Sequence, residues 1–108
     1  MFFAVWLDNN HLVGTIPGDI GANLENLRKL GLSSNKFSGS LPDIFDTMHS
    51  LTGVDFSNNA LRGSLPVSLG NIASLEHLDL SNNAFTGSIS STFCSLNGTE
   101  INVTLILV

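Results

Sequence analysis

The chain carries one cysteine, Cys94, among its 108 residues, so an internal disulfide is excluded. Tyrosine is missing altogether, and seven phenylalanines supply most of the aromatic bulk. Basic residues are scarce: four Lys plus Arg face nine Asp plus Glu, for a net charge of −5. Contacts to a phosphate backbone need clustered Lys and Arg, so no nucleic-acid partner is expected. Charge of either sign is sparse at 12 %, against 43 % hydrophobic residues, which excludes a solvated disordered tail. Long hydrophobic runs are missing too. The apolar start, Met1 to Trp6, has no basic flank and no small-residue cleavage site after it. The apolar end, Val103 to Val108, falls far short of the roughly 20 residues that span a bilayer. Neither an export signal nor a membrane segment is expected in this chain.

What the sequence does have is repetition. "LDNNHLVGTIP" from Leu7 returns as "LSSNKFSGSLP" from Leu32, "FSNNALRGSLP" from Phe56 and "LSNNAFTGSIS" from Leu80. The asparagines Asn10, Asn35, Asn59 and Asn83 are spaced by 25, 24 and 24 residues. Apolar residues keep the same step at Val5, Leu30, Val54 and Leu78, and at Phe2, Leu27, Leu51 and Leu75. Gly14, Gly39, Gly63 and Gly87 follow, then Pro17, Pro42 and Pro66, with Ser90 where the fourth proline is due. After the proline, apolar residues recur every third position, as in Phe45, Met48, Leu51 and Leu69, Ile72, Leu75. In the first copy Ile20 is followed by Leu24 and Leu27, which places its one extra residue between Ile20 and Leu24. Self-similarity at such a period marks a solenoid, in which each copy buries its apolar face only against its neighbours.

The pattern L-x-x-L-x-L-x-x-N-x-L, followed by G-x-I/L-P at a 24-residue period, resembles the leucine-rich repeats and specifically their plant-type subclass. The resemblance covers residues 2 to about 96. It implies an α/β solenoid: a right-handed superhelix with a concave parallel β-sheet and a mostly 3-10 or irregular convex side. Residues 2–96 are expected to form four repeats, and 97–108 an incomplete fifth repeat strand, with Val103 and Leu105 aligned to Leu78 and Leu80 at a step of 25. Open ends of such a stack favour self-association. Members of this subclass are mostly ectodomains of receptor-like kinases and receptor-like proteins. The resemblance therefore implies noncovalent binding of a protein, peptide or ligand at the cell surface, in signalling or defence, with a co-receptor as a further partner. The alternatives are a polygalacturonase-inhibitor-like defence protein, or a truncated product without independent activity. No enzyme activity, cofactor or metal is expected.

The residue types explain the phrase. Side chains alternate along a strand, so Leu30 and Leu32 face the core while Lys29, Gly31 and Ser33 face out. An asparagine where the chain leaves the strand can donate and accept at once, satisfying backbone groups and tying one layer to the next. Asn10, Asn35, Asn59 and Asn83 are thus structural. Their neighbours Asn9, Asn58 and Asn82 are expected to be exposed and free of any such demand. The glycine permits a tight bend or a positive φ.

The variable concave positions fall into columns. These are Ala4, Lys29, Gly53, His77; Trp6, Gly31, Asp55, Asp79; and Asp8, Ser33, Ser57, Ser81. Members of a column lie one strand apart and can act on one ligand together. Trp6, Asp8, Lys29, Ser33, Asp55, Ser57, His77, Asp79 and Ser81 are therefore the candidate binding residues. Asp55 and Asp79 could share a cation, but two solvated aspartates on an acidic surface fit better, because catalysis needs convergent groups held dry. Cys94 reads as a small buried apolar residue. Asn97-Gly98-Thr99 and Asn102-Val103-Thr104 are glycosylation sequons.

Overall fold

The structure is a computed structural model that describes residues 4–20, 24–89, 91–96 and 98–105. Phe2, Ser90 and Asn97 lie outside the described residues, as does the side chain of Cys94. Each repeat opens with a short strand: β1 (Ala4–Trp6), β3 (Lys29–Gly31), β5 (Gly53–Asp55) and β7 (His77–Phe85). These pair in parallel, one per repeat, and β8 (Glu100–Leu105) pairs with β7. Ala4, Lys29, Gly53 and His77 are direct partners, as are Trp6, Gly31, Asp55 and Asp79. Crossovers between successive parallel strands make the chain a right-handed solenoid.

The inward column of Leu30, Val54 and Leu78 is buried, with Leu32, Phe56 and Leu80 beside it. The every-third-residue pattern forms 3-10 turns on the convex side, at Phe45–Thr47, Val67–Asn71 and Ser91–Ser95. Three residues per turn stack side chains three apart on one face. Phe45, Met48, Leu51, Leu69, Ile72 and Leu75 accordingly close the core from behind. Leu24 N–H donates to Ile20 C=O, a span of four, where Met48 N–H donates to Phe45 C=O, a span of three. On this side buried Ser68 ties two repeats. Its hydroxyl receives Phe45 N–H, and its N–H donates to Asp43 Oδ1 at 3.0 Å. Hydrogen bonds from Ser68, the hydroxyl first and then the N–H, hold the Asp43 carboxyl below its ordinary range.

Three features differ from, or add to, the sequence reading. First, the glycine-containing phrase is strand rather than a tight bend. β2 (Val13–Thr15), β4 (Lys36–Ser40), β6 (Ala60–Gly63) and the end of β7 form a second parallel run. Gly39 and Gly63 sit inside it at φ +76° and +82°, which only glycine adopts without strain there. Second, β8 pairs Leu78 with Ile101 and Leu80 with Val103, a step of 23 and not 25. Both steps bury one alternate set of side chains, because a strand repeats every two residues. A step of 24 would have turned Asn102 and Thr104 inward. The turn ending at Thr99, whose N–H donates to Leu96 C=O, runs straight into the strand, so the shorter step wins.

Third, Asn9, Asn58 and Asn82 do carry a structural demand. They and Ser34 have φ between +55° and +58°. In that left-handed bend the N–H groups of Asn9, Ser34 and Asn58 reach the Ser33, Ser57 and Ser81 carbonyls of the next repeat. Asparagine tolerates this conformation better than serine does. Replacing Ser34 with Asn should therefore stabilise the chain by about 0.5–1 kcal/mol, a rise of a few degrees in Tm by circular dichroism. An unchanged or lower Tm would refute this account of the bend.

Candidate functional site

The concave face owes its relief to two glycines. Gly31 and Gly53 stand where other repeats carry side chains, and their neighbours lean into the space. A Cβ on Gly31 would lie 2.5 Å from Trp6 Cε3 and 2.7 Å from Asp8 Oδ2. A Cβ on Gly53 would lie 2.9 Å from Lys29 Cδ and 3.2 Å from its Nζ. The indole thus lies over one bare strand position, and the lysine stem over the next. Between them opens a hollow of about 230 Å³ lined by Trp6, Lys29, Gly53, Asp55 and His77, together with Leu30 and Val54. Trp6 is 62 % exposed, an unusual state for so large an apolar side chain.

The aspartates are engaged by serines rather than by each other. Asp55 Oδ1 accepts Ser57 N–H at 3.0 Å and Ser57 Oγ–H at 2.6 Å. Asp79 does the same with Ser81. Gly31 offers no carboxylate to Ser33, and Asp8 reaches across from the previous repeat to fill that role, at 2.7 Å to both Ser33 N and Oγ. The third column is therefore a row of Asp–Ser clasps. Among the described residues no three His, Cys, Asp or Glu gather as a metal site. The sequence reading missed Glu100: the shorter step puts it opposite His77, with Oε1 3.8 Å from Nδ1. His77 stays open, its side chain 43 % exposed.

The corner asparagines reach backward along the stack, toward the preceding repeat, and not forward. Asn35 Nδ2 donates to Leu7, Leu32 and Ser33 carbonyls, while its Oδ1 accepts Leu12 N–H. Asn59 makes the same set with Leu32, Phe56, Ser57 and Phe37. Asn83 repeats it with Phe56, Leu80, Ser81 and Leu61. Among the described residues Asn10 bonds within its own repeat, to Leu7 and Asp8 carbonyls. Asn102 is exposed on β8, beside Asp79 on the concave face.

A stack of parallel strands with an open, sculpted concave face defines a repeat scaffold for binding. A family model described as leucine rich repeat matches residues 25–85, more than half of the chain. The chain belongs to the leucine-rich-repeat family. No curated protein sequence matches it. Among solved structures, it is similar to the ectodomain of the plant membrane receptor kinase GASSHO1/SCHENGEN3 from Arabidopsis thaliana in complex with CASPARIAN STRIP INTEGRITY FACTOR 2. That match has 35 % identity and a TM-score of 0.89, covering 94 % of this chain and 12 % of that one. It is similar also to the plant peptide hormone receptor RGFR1 in complex with RGF2, at 29 % identity and a TM-score of 0.89, covering 96 % of this chain and 17 % of that one. A plant ice-binding protein matches at 35 % identity and a TM-score of 0.88, covering 95 % of this chain and 34 % of that one. The chain therefore spans a minor part of these proteins. One scaffold serves unlike ligands among them, so the ligand must be argued from side chains. No helix among the described residues is long and apolar enough to cross a membrane.

Proposed function

We propose that the chain is a noncovalent binding module for an extended peptide or protein segment laid across its concave face, as part of a cell-surface receptor in signalling or defence. The observation that carries this reading is the hollow between Trp6 and His77. At about 230 Å³ it is smaller than the 300–1,000 Å³ typical of small-molecule sites, and it opens onto a broad face. One side chain of a longer ligand fits such a space, with the rest of the ligand crossing neighbouring strands. Trp6 supplies an aromatic anchor of the kind enriched at binding hot spots. Lys29, His77 and Asp55 supply donors and one acceptor around it. Similarity to receptor ectodomains, one of them a peptide hormone receptor, supports the same reading.

Filling the hollow tests it. Peptides selected from a displayed library on the full chain should bind Gly53→Val and Trp6→Ala about tenfold more weakly, a loss of about 1.4 kcal/mol. The atoms nearest a Cβ at Gly53 are those of the flexible Lys29 side chain, which can swing aside, so Tm should hold. Peptides that bind wild type and both variants equally would overturn the assignment of the site. Inhibition of a cell-wall polygalacturonase by the chain, unaffected by these changes, would favour the inhibitor reading instead.

A further inference from the structure

We propose that Asn102 is an N-glycosylation site whose glycan stands on the concave face and walls the ligand hollow on its C-terminal side. This rests on the cell-surface reading above, since the modification belongs to the secretory route. Two independent facts meet at one residue. Asn102-Val103-Thr104 is an acceptor sequon, and Asn102 is exposed. The step of 23 residues then fixes where its side chain stands. Asn102 pairs with Asp79, so it extends the outward column Trp6, Gly31, Asp55, Asp79 by one place. At one strand spacing per place, Asn102 lies about 5 Å from Asp79 and about 10 Å from Asp55. His77 sits diagonally across the same strand pair, about 8 Å away by the same spacings. A sugar chain rooted there rises in front of β7 and leaves β1, β3 and β5 open, which is where Trp6 and Lys29 lie. Ligand then enters over the N-terminal strands. Thr104 takes part in the fold as well, its hydroxyl accepting Asn82 N–H at 3.2 Å.

The transfer draws on a lipid-diphosphate-linked oligosaccharide. The Asn102 amide nitrogen bonds to the anomeric carbon of its first N-acetylhexosamine. The bond from that carbon to phosphate oxygen breaks, the lipid diphosphate leaves, and the amide proton passes to the transferase's base.

The test uses the full chain secreted from cultured plant cells behind an added export signal, beside an Asn102→Gln variant. Peptide mass spectrometry should find hexosamine-containing glycan on Asn102 in the first, and an unmodified residue in the second. Diethylpyrocarbonate should then acylate His77 several-fold more slowly in the glycosylated chain than in the variant. His11 and His49, exposed and off the concave strands, should react equally in both. A Thr104→Ser chain, which keeps the sequon and a hydroxyl, should behave as wild type and guards against a folding effect. Recovery of unmodified Asn102 from the secreted chain would overturn the proposal, and so would a glycosylated chain with unslowed His77. Neither outcome depends on any peptide binding, so failure here is separate from failure of the binding assignment.

Discussion

Replacing Asn59 with Leu should cost about 2–3 kcal/mol and lower Tm by about 10–15 °C, because a buried polar group left unpaired costs about 1–3 kcal/mol and three carbonyls are weakened beside it. The change removes the acceptor of Phe37 N–H and one of the two donors to each of the Leu32, Phe56 and Ser57 carbonyls, which keep Asn35, Asn83 and Ser34 N–H respectively. Two of these groups belong to the preceding repeat, so the loss strikes the junction between layers as well as the corner of one. Replacing Asn59 with Asp should cost less: the carboxylate still accepts from Phe37 N–H, and each of the three carbonyls loses only one of its two donors. Asn58→Leu isolates the other duty of this corner. Its penalty comes from a bulky residue in a left-handed bend, roughly 1–2 kcal/mol, with no buried group orphaned. The expected order of Tm is thus wild type, then Asn58→Leu, then Asn59→Leu, read by thermal circular dichroism. Equal losses at the two positions would remove the corner amide from its assigned role.

The period and the core were legible because both are written in apolar side chains that recur at fixed steps. Burial of Leu30, Val54 and Leu78 in one column follows from that alone. The second run of strands was not legible. Gly39 and Pro42 are punctuation in most contexts, and a glycine inside a strand signals a bulge or bend. Here Phe37 and Leu61 hold the segment against the core, and the positive φ is absorbed within the ladder. The register of β8 was ambiguous for a different reason: alternation at Ile101, Val103 and Leu105 fits either odd step equally well. Only the turn that delivers the strand decides between them. The hollow was hidden because Gly31 and Gly53 look uninformative in a column of candidates. Their meaning lies in the neighbours, Trp6 and Lys29, that occupy the vacated space.

Truncating Phe56 to Ala should be the most damaging change in the apolar core, at about 3–5 kcal/mol, and position in the stack explains why. Phe56 holds the place taken by Leu7, Leu32 and Leu80 in the other repeats and is fully buried. Its ring lies 6.3 Å from that of Phe45 in the preceding repeat, tilted by 47°, so the two aromatics pack across a junction between layers. Tilted pairs at that separation add about 0.5–1.5 kcal/mol beyond area burial. In a solenoid each layer touches only its two neighbours, so a cavity in a middle layer weakens two junctions. Leu7 occupies the equivalent place in the first repeat but is 42 % exposed, and Leu7→Ala should cost less than about 1 kcal/mol. The same truncation at one repeat position therefore separates depth in the stack from side-chain chemistry. A double-mutant cycle on Phe45→Leu and Phe56→Leu measures the aromatic share, and additive losses would assign all of Phe56's contribution to volume and burial.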